Sequence, residues 1–73
     1  MTLAERIENA LAEHIGQILA QTAVESSCET IGVRPRDLAS IHMFEFCAVL
    51  TRRLAPFVGD EAAGRIAGRL RTL

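Results

Sequence analysis

Two cysteines and two histidines are the side chains of this sequence that bind metal ions most readily. They are Cys28, Cys47, His14 and His42, and thiolates and imidazoles are the ligands of structural zinc sites. If the chain forms a helical hairpin that turns near residue 33, these side chains lie ~8 to ~29 Å from the turn, at about 1.5 Å per residue. We therefore expect no metal site or cofactor within one chain, while a site between two chains stays open.

The same geometry predicts that the two cysteines are not bridged. In the hairpin, Cys28 and Cys47 are offset by ~13 Å along the helices, whereas bridged Cα atoms lie less than ~7 Å apart. Cys47 follows Phe46 on an apolar face and is interpreted as a core residue. Cys28 is expected near an exposed helix end, where a redox role stays open.

Acid–base chemistry has one weak candidate, the pair His42 and Glu45. Their three-residue spacing places them on one helix face, where a carboxylate can tune a histidine base. The sequence contains no nucleophile on a tight turn and no glycine-rich phosphate loop. We expect a protein without catalytic residues, that is, not an enzyme.

Arginines in the second half of the chain are the candidates for anion binding, because the guanidinium group matches phosphate geometry. The candidates are Arg52, Arg53, Arg65, Arg69 and Arg71. Against nucleic acid stand a net charge of −1 and only three Phe, with no Tyr or Trp for base stacking. The alternative is a solvated arginine face in which Glu61 pairs with Arg65.

Charge is distributed unevenly along the chain. Residues 1–31 carry five Glu and one Arg, a balance of −4, whereas residues 32–73 carry seven Arg and four acidic residues, a balance of +3. Such polarity favours antiparallel or head-to-tail association of chains. It is equally compatible with a role in solubility alone.

The length of 73 residues corresponds to one domain, residues 1–73. The longest run without Asp, Glu or Arg is His14–Val24, 11 residues, and a membrane-spanning helix needs about 20. No basic and apolar leader is recognisable at the N-terminus. With two cysteines and no leader, we expect a cytoplasmic protein without a membrane segment.

The first predicted helix opens with a capping box, Thr2 and Glu5. Apolar residues then follow at helical spacing as far as Ile31, where Gly32 is suited to a left-handed C-terminal cap. We predict one continuous helix over residues 3–31. A second capping-box pattern at residues 26–29 offers an alternative break.

The second predicted helix begins at Pro35, a favoured residue in a first helical turn, and ends or kinks at Pro56. One of its faces carries Met43, Phe46, Cys47, Leu50 and Leu54, and nearly opposite lie Leu38, Ile41 and Val49. A helix that is apolar on both sides is a buried helix. A chain of this size has too few elements to cover both faces, so we expect a partner chain to cover one.

The third predicted helix is short and is capped by Asp60, with Ala63, Ile66, Leu70 and Leu73 as its apolar seam. Phe57 and Val58 are expected to fill the connection before it. We find no internal repeat. The fold prediction is an all-α, three-helix chain, a long helical hairpin plus a short C-terminal helix, which dimerises into a four-helix-type bundle.

These patterns predict a non-enzymatic helical module for protein interaction and dimerisation, of a regulatory or adaptor kind. Its partner is a second copy, and a larger protein partner is also compatible. The interface prediction has two parts. The core between helices comprises Ile15, Ile18, Phe46, Leu50 and Leu54, and the face toward the partner comprises Leu38, Ile41 and Val49. The alternative is a small dimeric nucleic-acid-binding protein that uses the five arginines named above.

Overall fold

The computed structural model describes all 73 residues and confirms the all-α class. It has four α-helices instead of the predicted three: α1 (Leu3–Ile15), α2 (Gln17–Ile31), α3 (Met43–Val58) and α4 (Asp60–Leu70). Two short 3₁₀ turns, Pro35–Asp37 and Ser40–His42, lie between α2 and α3. The helices pack in chain order, α1 on α2, α2 on α3 and α3 on α4.

The predicted continuous helix over residues 3–31 is wrong, because the chain breaks at Gly16. Gly16 has φ 86° and ψ 161°, a region of backbone conformation that essentially only glycine adopts. Its N–H donates to the Ala12 carbonyl and its carbonyl accepts from the Ala20 N–H, so α1 ends and α2 begins at one residue. In the sequence, the apolar spacing continues past Gly16 to Ile18, which is why periodicity alone concealed the break.

Both ends of this helix pair follow the sequence signals. At the start of α1, the Glu5 N–H donates to Thr2 Oγ1 at 3.1 Å and the Thr2 N–H donates to Glu5 Oε1 at 2.9 Å, which completes the capping box. At the end of α2, Gly32 is left-handed with φ 76°, and the Val33 N–H donates to the Cys28 carbonyl. The second capping-box pattern at residues 26–29 lies inside α2 and starts no helix.

The segment after Pro35 corrects the predicted start of the second helix. Pro35 opens only a 3₁₀ turn, stabilised by a 3.0 Å ion pair between Arg34 Nε and Asp37 Oδ2. Leu38 and Ala39 are then extended, and the Leu38 side chain is buried in the core. The Ala39 N–H donates to His42 Nδ1 at 3.0 Å. The helix proper therefore begins at Met43.

Two glycine corners of nearly the same backbone conformation join the helices in pairs, α1 to α2 and α3 to α4. Gly59, between α3 and α4, has φ 90° and ψ 157°, nearly the same conformation as Gly16. Residues 11–20 and 54–63 align at an offset of 43, with Leu, Ala, Gly and Ala shared at four positions and Ile15 matched by Val58. Four identities in ten residues are too few to stand out as an internal repeat in the sequence alone.

The chain thus forms two helical hairpins, α1–α2 around Gly16 and α3–α4 around Gly59. Each hairpin buries equivalent residues in one common core. Leu11 and Leu54, and likewise Ala20 and Ala63, occupy equivalent positions, and all four are buried. The remaining core residues are Ala4, Ile7, Val24, Cys28, Leu38, Phe46, Cys47, Leu50, Ile66, Ala67 and Leu70. Pro56 does not end α3, which continues to Val58, and α4 spans Asp60–Leu70. The predicted cap at Asp60 is wrong, because Gly59 occupies the N-cap position and no side chain caps α4. Leu73, predicted in the apolar seam, lies beyond the helix and is 40% exposed.

The dimensions of the chain overturn the reason given for an obligatory partner. It measures 28 × 21 × 21 Å with a radius of gyration of 10.7 Å, and a compact domain of this length is expected near 11 Å. The chain turns at Gly16 and Gly59, so short helices that cover one another replace the predicted long helical hairpin. No helix is both long and apolar enough to span a bilayer.

Candidate interaction surface

Large apolar side chains remain exposed on this otherwise well-packed chain. Ile41 is 86% exposed, Ile18 81%, Phe44 77% and Phe57 69%. Single exposed apolar residues are ordinary on protein surfaces, but grouped ones mark interaction sites. Their positions relative to α3 therefore define the candidate site.

The α3 outer face is the side of α3 that points away from the core. At about 100° per residue, it carries these residues within an arc of about 140°: Phe44, Glu45, Ala48, Thr51, Arg52, Ala55 and Pro56. The core residues Phe46, Cys47, Leu50 and Leu54 occupy the opposite side. Phe44 projects from one end of the face, and Ile41 lies in the turn just before it.

A shallow depression lies at the other end of the α3 outer face. Thr51, Ala55 and Pro56 line it together with Arg52, and Asp60 closes it at the start of α4. The ion pairs of the chain are Arg34–Asp37 and Arg65–Glu61, so the Arg52 guanidinium has no carboxylate partner. One α-helix thus presents an aromatic knob, a small-residue hollow, an acidic side chain and a free cation.

A second concave surface runs between α2 and α3, with a volume of about 390 Å³. One end is apolar, formed by Ile15, Leu19 and Phe57, and the other is polar. There Arg53 donates from Nη2 to Thr30 Oγ1 at 2.7 Å, which ties α3 to the last turn of α2. Phe57 lies at the rim of this groove and does not fill the connection as predicted.

The residues predicted for the interface differ in their exposure in the single chain. Leu38, Phe46, Val49, Leu50 and Leu54 are buried within the single chain, Ile15 is half-buried, and Ile18 and Ile41 are exposed. Ile18 was expected in the core between helices, but the break at Gly16 resets the helical phase and turns it outward. Leu38 and Val49, assigned to a partner, are covered by the chain's own helices. Phe44 was missed, because its neighbours Met43 and Phe46 dominated the apolar pattern.

The arginines predicted to bind anions do not share one concave surface. Arg52 and Arg53 line the hollows around α3, whereas Arg65 and Arg69 line a separate pocket with His14. Arg65 Nη1 lies 3.9 Å from Glu61 Oε1, and both side chains are well exposed. Such a pair contributes at most about 1 kcal/mol.

Both cysteines are free and fully buried, so the predicted exposure of Cys28 is wrong. The Cys47 thiol donates to the Ala67 carbonyl at 3.7 Å. Burial raises the pKa of both thiols; the nearby carboxylate of Glu8 raises that of Cys28 further, and Arg71 partly offsets the rise for Cys47. Protonated buried thiols are poor nucleophiles and poor metal ligands.

Other polar groups assemble no reactive constellation. No group of three His, Cys, Asp or Glu side chains is close enough to hold a metal ion. The Ser27 hydroxyl is buried without a hydrogen-bond partner, and His42 accepts from the Ala39 backbone. With this geometry established, comparison with known proteins adds no relative: no protein-family model, no curated protein and no solved structure matches the chain.

Proposed function

We propose that this protein is a non-enzymatic, cytoplasmic helical interaction module that acts as a homodimer. The observation that carries the proposal is the exposed apolar surface along α3, where Phe44 is 77% and Ile41 86% exposed beside a hollow of small residues. Aromatic side chains that protrude from a rigid helix are the usual anchors of protein interfaces. Two unbridged cysteines fit a reducing compartment.

We propose a function without catalysis because the cysteines and His42 have structural roles. Both thiols are buried in the core, and His42 serves the turn before α3. A catalytic base and a nucleophile must lie within hydrogen-bond reach in a cleft. These residues are instead occupied in holding the fold.

The nucleic-acid alternative receives less support than dimerisation. Its arginines are dispersed: Arg52 and Arg53 line the groove beside α3, two others line the pocket with His14, and Arg71 lines neither. A backbone-tracking site needs a continuous basic groove. No Phe, Tyr or Trp side chain lines the pocket of Arg65 and Arg69. In an electrophoretic shift assay, we expect no binding of duplex DNA at physiological salt.

Sedimentation equilibrium tests the proposal directly. Over about 1 to 100 µM, where weak and moderate dimers dissociate measurably, the mass should rise from the 8.0 kDa of the chain towards twice that value. The variant Phe44→Ser should stay monomeric, while Phe57→Ser, equally polar but outside the α3 outer face, should retain the dimer. A mass of one chain throughout this range would overturn the proposal.

A further inference from the structure

We infer that two copies pair antiparallel along α3, with Phe44 of each seated in the hollow formed by Thr51, Ala55 and Pro56 of the other. The inference rests on the proposed function and adds the interface and its register. It follows from the distribution of knob, hollow and charge along one helix. The occupant of the surface is therefore a second copy of this chain.

The register follows from positions along the helix. In a two-fold antiparallel pair, a residue on one side of the axis meets the partner residue at the same distance on the other side. With the axis beside Ala48, Glu45 and Arg52 both lie about 5 Å from it, at about 1.5 Å per residue. Phe44 lies on the Glu45 side of the axis and the centre of the hollow lies on the Arg52 side. Both are slightly farther from the axis than the two charged residues.

Small residues on the α3 outer face allow the two helices to approach. Ala48 is exposed at the proposed axis and presents only a methyl group, which permits interaxial distances of about 8 to 10 Å. Ala55 leaves room for the Phe44 ring of the other copy. Ile41, just before α3, then reaches the Pro56 end of the opposing helix.

Charge fixes the direction of the pair. Antiparallel packing brings Glu45 of each copy beside Arg52 of the other, so the interface contains the same ion pair twice. Neither residue has a charged partner within its own chain. A parallel pair in register would instead place Glu45 level with Glu45 and Arg52 level with Arg52, an arrangement that like-charge repulsion disfavours.

A charge-exchange experiment tests the pairing. Glu45→Arg and Arg52→Glu should each weaken self-association about ten-fold, since two attractive contacts become repulsive. Mixing the two variants should restore association as a heterodimer in which both contacts are attractive. The double variant Glu45→Arg/Arg52→Glu should dimerise like the wild type. As a matched control, Glu25→Arg on α2 should leave the association unchanged.

A cross-linking experiment tests the axis independently. A cysteine introduced by Ala48→Cys should form a disulfide with its own symmetry mate, because their Cα atoms would lie less than ~7 Å apart. The native thiols are buried and do not compete. Gly64→Cys, exposed on α4 with nothing within 4 Å of the new Cβ, is the control that should stay uncross-linked.

The outcomes separate the two proposals. A wild-type dimer whose charge variants do not recover on mixing, or whose Ala48→Cys variant does not cross-link, would overturn the antiparallel α3 pairing and leave the homodimer standing. A wild type that stays monomeric at about 100 µM would overturn both. Recovery on mixing together with cross-linking at Ala48 supports both.

Discussion

The two helix–glycine–helix hairpins share one backbone solution and present different surfaces. Gly16 and Gly59 adopt nearly identical conformations, and equivalent residues around them, such as Leu11 and Leu54, are buried. The first hairpin carries five of the nine acidic residues and one arginine, whereas the second carries four of the eight arginines and three acidic residues. The two hairpins therefore share their corner conformation and the buried positions next to it, while their exposed residues differ.

The difference shows where the interaction surface comes from. In the second hairpin, the position equivalent to Met1 is Phe44, and the position equivalent to Glu13 is Pro56. Phe44 supplies an exposed aromatic anchor, and Pro56 closes the hollow that receives it in our proposal. Matched substitutions in the two hairpins test both the shared and the distinct parts of this comparison.

The largest effect is expected from the equivalent core leucines. Leu54→Ala and Leu11→Ala should each lower the free energy of unfolding by about 2 to 5 kcal/mol, because each leaves a cavity in a dense core. Urea denaturation of the two variants measures this. Leu19→Ala, at a 45% exposed position, is the control and should cost less than about 1 kcal/mol. A small loss at only one of the two leucines would contradict the equivalence of the hairpins.

Glycine corners give the next effect. Gly16→Ala and Gly59→Ala should each cost about 1 to 3 kcal/mol, because a Cβ is strained in this region of φ and ψ. The cost is conformational and not steric, since nothing lies within 4 Å of the added Cβ. Thermal unfolding of both variants should show similar losses.

Gly64→Ala provides a control of opposite sign for the corners. Gly64 lies inside α4 with helical backbone and free space around it, so alanine should stabilise the fold by about 0.5 to 1 kcal/mol. If all three glycine variants were destabilised alike, backbone strain would not be what distinguishes the corners.

Helix ends that depend on local side chains could be predicted from the sequence, whereas the corner inside the first predicted helix could not. Capping at Thr2, the left-handed cap at Gly32 and the start of α4 were predictable, because each depends on side chains within a few residues. The corner at Gly16 was not, because glycine is tolerated inside helices and the apolar stripe continues through it. Recognising the repeated Leu-Ala-x-x-(Ile/Val)-Gly pattern at residues 11 and 54 would have revealed it.

The candidate site was less predictable than the fold. Ile41 was assigned to an interface from its spacing, and its exposure is compatible with that assignment. Phe44 was missed, since at a helix start an apolar residue can point inward or outward according to the preceding turn. That turn is held by the Ala39–His42 hydrogen bond, which no sequence pattern announced.

Alkaline pH gives a prediction that compares the two thiols. Each raised pKa means that the folded chain holds a proton the unfolded chain releases, so stability is full below pH 9, the ordinary thiol value, and falls as pH rises above it. The slope cannot exceed about 1.4 kcal/mol per pH unit for each thiol. The chain has no Lys or Tyr that titrates in this range, so the loss reports the cysteines.

Urea denaturation between about pH 8.5 and 11, where arginine stays charged, measures this slope. Cys28→Ala and Cys47→Ala should each reduce it, and the double variant should be flat. Cys28 should contribute more, because Glu8 adds to the effect of burial whereas Arg71 opposes it at Cys47. An unchanged slope in the double variant would contradict the assignment.

A modest effect is expected at the start of each hairpin, where the two hairpins differ. The N-terminus of α1 is closed by the reciprocal hydrogen bonds of Thr2 and Glu5, whereas α3 begins without a side-chain cap. Thr2→Ala should therefore lower the free energy of unfolding by about 1 kcal/mol, and Thr2→Ser, which keeps the hydroxyl, should be nearly neutral.

These hydrogen bonds also lower the pKa of Glu5, so the capping contribution is present above the ordinary carboxyl range and is lost as falling pH protonates Glu5. Thermal melts of the three proteins at neutral and acidic pH should show a gap that narrows in acid. A gap that stayed constant with pH would mean that the Glu5 carboxylate takes no part in the cap, which would then consist of the Thr2 hydroxyl alone.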